Sequence, residues 1–112
     1  MSQMSELQNK AVALVVQSEG DIGSQTSSHR SAILLDKALD LYFALGGDAE
    51  SALALVVEKY TASRLRIDSA IANVMIELAV VSRLNDLDMV QATYNRLDAE
   101  LVAPNGGLLA EK

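Results

Sequence analysis

Apolar residues recur along this chain at the three- and four-residue spacing of helices, and no stretch alternates as a strand would. Leu7, Ala11, Leu14 and Val15 form one stripe, predicting a first helix from about Glu6 to Glu19. Ser5 with Gln8 three residues later reads as a capping box at its start, and Gly20 as its stop. The polar, glycine-containing stretch from Gly20 to Ser28 reads as a loop or hinge with no evident catalytic use. A second helix is expected from a cap at Ser27 or Ser28 to Leu45, ending at Gly46-Gly47. It carries two adjacent apolar faces, Leu34, Ala38, Leu41 and Leu45 on one and Leu35, Leu39 and Tyr42 on the other. A helix this apolar is expected to be buried on more than one side.

Asp48 caps a third predicted helix that runs to about Ala62, with the stripe Leu53, Val56, Val57 and Tyr60. Ser63-Arg64-Leu65-Arg66 is either its basic last turn or a short link. Asp68 reads as the cap of a fourth helix with core positions Ile71, Val74, Met75 and Leu78 and with Val81 nearby. Asn85-Asp86 breaks that helix. Asp88, with Gln91 three residues on, caps a fifth, lined on one side by Val90, Tyr94, Leu97 and Leu101. Pro104-Asn105-Gly106-Gly107 ends the order. The expectation is an all-α bundle of four to five helices, a single domain over 1–103 with a flexible tail over 104–112. No internal repeat is visible. The excess of apolar helix faces predicts completion of the core as a homodimer or homotetramer.

Composition narrows this picture. Half of the 112 residues are apolar but only 4% are aromatic, which suits helices packed through aliphatic side chains. There are no cysteines, so disulfides and thiolate metal sites are excluded. No apolar run is long enough to span a bilayer, and the start lacks a signal-peptide pattern, so a cytoplasmic location is expected. The formal net charge of −6 argues against a duplex-coating protein, although a local basic strip is compatible with it.

The stretch Ser69 to Asp88 combines the apolar run Val74 to Leu84 with the turn Asn85-Asp86-Leu87-Asp88. Together with residues 31–45 and the segment to 98, it resembles the MazG-like all-α NTP pyrophosphohydrolases over about two thirds of the chain. The resemblance implies a MazG-like helical bundle. It also implies Mg²⁺ held by acidic helix positions, and there the sequence departs from the family. Ala70 and Asn73 stand at the acid-x-x-Asp positions, Lys37 and Asp40 at the Glu-x-x-Glu positions, and Arg96 and Glu100 at the Lys and Asn of the last helix. A triphosphate-cleaving Mg²⁺ site needs several hard oxygen ligands, so the resemblance implies the scaffold without the usual activity.

Two groups of residues remain as candidates for chemistry. His29, Asp36 and Asp40 share one helical face at i, i+7 and i+11, as an acid/base or metal site could use or as a solvated stripe would show. Glu77 is an acid within an apolar helix, read mainly as an exposed point on its polar edge. Lys59, Arg64 and Arg66 cluster around Tyr60, with Arg30, Lys37 and Arg83 elsewhere. Cations beside a ring suit single-stranded nucleic acid, one for phosphate and the other for a base. Cations at a helix C-terminus also simply complement its dipole.

Three function classes follow. The first is a non-catalytic MazG-like protein binding single-stranded DNA or a nucleotide through Lys59, Tyr60, Arg64, Arg66, Arg30, Lys37 and Arg83, with no cofactor. In general character it resembles the phage single-stranded-DNA-binding RNA polymerase cofactors, which would imply a viral protein of the host cytoplasm with RNA polymerase as a partner. The second is an active Mg²⁺-dependent NTP pyrophosphohydrolase using Asp36, Asp40, Asp68 and Glu77. The third is a helical adaptor acting only through protein contacts.

Overall fold

The computed structural model describes residues 3–106 apart from Asp21, Ile22 and Ser24. Five helices make up the secondary structure of the described residues: α1 Gln3–Glu19, α2 Ser27–Ala44, α3 Ala49–Thr61, α4 Ile67–Leu84 and α5 Met89–Gly106. The fold is therefore all-α, with the expected number of helices. No helix of the described residues is long and apolar enough to cross a membrane.

Three expected caps move. α1 starts at Gln3, so Ser5 lies inside its first turn. α2 is capped by Thr26 rather than Ser27 or Ser28, because the threonine hydroxyl accepts the His29 N–H at 3.1 Å. Helix α4 begins at Ile67, which places Asp68 within the first turn, its carboxylate accepting the Ser69 N–H at 2.7 Å. An acid there still meets the positive end of the helix dipole. Asp48 and Asp88 do stand as caps, accepting the Ser51 and Gln91 amides at 2.9 and 3.0 Å. Helix α5 continues to Gly106, past the expected stop at Pro104, and the remaining tail positions lie outside the described residues.

The chain contains a structural repeat that its residue types conceal. α2 and α4 are both 18 residues long, and the starts of the paired helices are 40 positions apart, Ser27 to Ile67 and Ala49 to Met89. The corners are built alike. Gly47 N–H donates to Tyr42 C=O at 3.0 Å and Gly46 N–H to Phe43 C=O at 3.0 Å; Leu87 N–H donates to Ser82 C=O at 2.8 Å and Asp86 N–H to Arg83 C=O at 3.1 Å. Both are Schellman closures, which need a left-handed residue just beyond the helix. Gly46 supplies it with φ 98°, Asp86 with φ 56°. In each case an aspartate two residues later starts the next helix.

The structure forms two units. Residues 1–23 and 67–112, holding α1, α4 and α5, make one; residues 24–66, holding α2 and α3, make the other. In the first, α5 packs on both α1 and α4, and Leu97 of α5 is buried at 5% exposure. Val90, Tyr94 and Leu101 on the same face of α5 are half-buried, as are Met75, Leu78 and Val81 of α4, whereas Ile71 and Val74 are exposed.

The second unit departs from expectation. α2 and α3 diverge from their corner without packing on each other. Neither helix has a buried residue. Leu34, Leu41 and Leu45 on one expected core face and Leu35 on the other are exposed; only Ile33, Leu39 and Tyr42 of the large apolar residues on α2 are half-buried. The whole α3 stripe is exposed, with Leu53 at 67%, Val57 at 67% and Tyr60 at 75%. The apolar periodicity is real, yet the surface that would cover it is not supplied by this pair of helices. What the unit does fix is its corner. Tyr42 donates its hydroxyl to Asp48 C=O at 2.9 Å, lays its ring against Gly47, and meets the Phe43 ring edge-on at 5.3 Å between centroids.

Candidate functional site

The expected nucleic-acid residues fall on both units. Lys59 and Tyr60 lie in the last turn of α3, and Arg64 and Arg66 lie in the link that follows. Arg64 is partly committed there. Its Nη1 donates to the Tyr60 and Ala62 carbonyls at 3.0 Å each, satisfying orphan acceptors at the end of α3. The same guanidinium stands 5.4 Å from the centre of the Tyr60 ring, within cation–π range. Arg30 donates to Gln25 at 3.3 Å and Lys37 lies 4.0 Å from Asp36, both on α2 or its approach. Arg83 belongs to the last turn of α4, in the other unit.

The acids proposed for a hydrolase divide between the units, with Asp36 and Asp40 on α2 and Asp68 and Glu77 on α4. Among the described residues, no group of three or more histidine, aspartate and glutamate side chains gathers to hold a metal ion. His29, Asp36 and Asp40 line one exposed face of α2, as a solvated stripe does.

The α1–α5 contact carries a polar cluster that the sequence reading missed. Lys10 Nζ pairs with Asp98 at 2.8 Å and lies 5.3 Å from the centre of the Tyr94 ring, whose hydroxyl donates to Glu6 at 3.3 Å. The hydrogen bond that Lys10 donates to Asp98 raises the Lys10 pKa, and burial followed by the nearby Glu6 carboxylate raises that of Tyr94. The signal was present as matched i, i+4 spacings, Glu6 with Lys10 on one helix and Tyr94 with Asp98 on the other. Beside it, α1, α4 and α5 line a half-open pocket of about 210 Å³, its walls chiefly apolar side chains, among them Met4, Leu7, Met75, Leu78 and Met89.

The open unit has a distinct charge balance. Residues 24–66 contain Asp36, Asp40, Asp48, Glu50 and Glu58 against Arg30, Lys37, Lys59, Arg64 and Arg66, five of each sign, so the formal charge of −6 resides in the remainder of the chain. α3 has no charged residue between Glu50 and Glu58, and Leu53, Leu55, Val56 and Val57 in that interval are all exposed. Together with Ala52 and Ala54, these side chains make the helix apolar all round over this interval. An electroneutral helix pair with exposed apolar side chains can accept polypeptide surface.

A scan against protein-family models and searches of curated proteins and of solved structures find no match to this chain.

Proposed function

We propose that this protein acts by binding, as a helical assembly protein whose α2–α3 unit completes its core against another polypeptide. The observation that supports this most directly is the uncovered run Ala52 to Val57 of α3, apolar on all sides and without a single buried residue. A helix apolar all round is stable in water only when other helices surround it. Hydrogen exchange tests the reading. In the dilute monomer the amides of α2 and α3 should exchange far faster than those around Leu97, and association should slow them. Strong protection of α2 and α3 in a monomer would sink it.

A second reading draws on one specific observation, the 75% exposed Tyr60 ring beside the Arg64 guanidinium with Lys59 and Arg66 close in sequence. We propose single-stranded nucleic acid or a nucleotide as the ligand of that corner, a base stacking on the ring and phosphate meeting the cations. A mobility shift with single- and double-stranded oligonucleotides at two salt concentrations tests it. The Tyr60→Ala and Arg66→Ala variants should each weaken binding, and the arginine change should also flatten its salt dependence. Binding that both variants leave intact places the ligand elsewhere.

A further inference from the structure

Resting on the assembly reading, we propose that the polypeptide covering α3 is a second copy of this chain, paired antiparallel about Leu55. Glu50, Leu53, Val57 and Tyr60 follow the i, i+3, i+7, i+10 spacing of a coiled-coil seam, and all four are exposed. A two-fold axis midway between the helices, at the level of Leu55, sets Leu53 of one copy against Val57 of the other, and Glu50 against Tyr60. The central layers are then apolar. At each end the Tyr60 hydroxyl reaches the facing Glu50 carboxylate and donates to it, so the seam complements itself. An isologous contact requires just such self-complementarity.

One further observation favours this occupant over an unrelated protein. The α2–α3 unit is electroneutral, so two copies meet without net repulsion, whereas the −6 remainder of the chain would resist self-contact. Leu53, Val57 and Tyr60, at 67%, 67% and 75% exposure, give each copy the apolar strip of the seam.

Sedimentation equilibrium on the full chain tests the pairing. The wild-type protein should dimerise at micromolar concentration. Leu53→Glu, a change at an exposed site that leaves the monomer's own packing untouched, should weaken the dimer by at least about 100-fold. Tyr60→Phe, which keeps the exposed ring and removes only the hydroxyl that reaches Glu50, should weaken it about tenfold, a selective loss that misfolding cannot imitate. A dimer indifferent to both changes overturns the α3 seam. A wild-type monomer whose α2–α3 amides exchange freely overturns self-pairing and leaves the need for a different partner standing. A wild-type monomer with strongly protected α2–α3 amides overturns both.

Discussion

Lys10 of α1 and Asp98 of α5 are 88 residues apart in sequence and form an ion pair of 2.8 Å across the helix contact. Tyr94 and Glu6 flank this pair, so four side chains set the register of α1 on α5. All four are reached by solvent, and salt screens such pairs. Lys10→Met should lower the melting temperature of this unit by a few degrees at low ionic strength and by less at high salt. Equal losses at both would assign the effect to the lysine stem rather than its charge.

The same cluster gives an alkaline dependence. Lys10 and Tyr94 are both raised in the folded chain, the first by Asp98 and the second by burial. Their contribution is complete below the ordinary values of these groups and fades as pH rises above about 10. Thermal melts should show this loss in the wild type and a smaller one in a Lys10→Met, Tyr94→Phe double variant.

Asp48 gives the opposite slope. The Ser51 N–H holds its carboxyl below the ordinary aspartate value, so the folded state gains from ionisation. That gain is present above the unfolded pKa and disappears as pH falls through the lowered folded value. Protection of the amides at the start of α3, relative to their intrinsic exchange, should begin to fall as the pH drops below about 4, the ordinary aspartate value. Asp48→Asn, which still accepts a hydrogen bond, should remove the pH dependence there.

Much of the fold was legible because its stops are chemically explicit. Gly20, Gly46 and Asn85-Asp86 each ended a helix where the sequence placed the end, and Asp48 and Asp88 each began one. The misplaced start of α2 has a plain cause. Ser and Thr compete as caps within a few residues, and Thr26 was as eligible as its neighbours Ser27 and Ser28. The forty-residue repeat was hidden because its left-handed position is filled by glycine in one copy and aspartate in the other. Burial was the least legible. Periodicity shows which face of α3 wants cover and carries no information on whether the cover belongs to the same chain. The candidate basic corner was legible as a local cluster, but the use of Arg64 to cap the α3 carbonyls depends on side-chain reach.

The left-handed position at Asp86 should therefore discriminate sharply among substitutions. Asp86→Gly keeps the corner at little cost, since glycine adopts φ 56° without strain. Asp86→Val should destabilise the α4–α5 unit by about 1–2 kcal/mol, because a β-branched side chain clashes there. Denaturant melts of the two variants test the difference. Equal stabilities would mean that the corner is not held at positive φ.

Leu97 and Leu53 make a second contrast. Leu97 is 5% exposed and Leu53 67% exposed. Leu97→Ala should cost about 2–4 kcal/mol in chemical denaturation, the range for an emptied core site. Leu53→Ala should leave the dilute monomer nearly unchanged and act only where chains associate.

The two matched corners also bear on how the chain reaches its structure. Each closes through hydrogen bonds between residues a few positions apart, so each can form on the microsecond timescale of local helix and turn formation. The α2–α3 corner gains little from contacts distant in sequence, and its helices must wait for encounter with another surface. The late phase of refolding should then accelerate with protein concentration, and a chain emerging from the ribosome would carry a shaped but unsatisfied helix pair until it meets its mate.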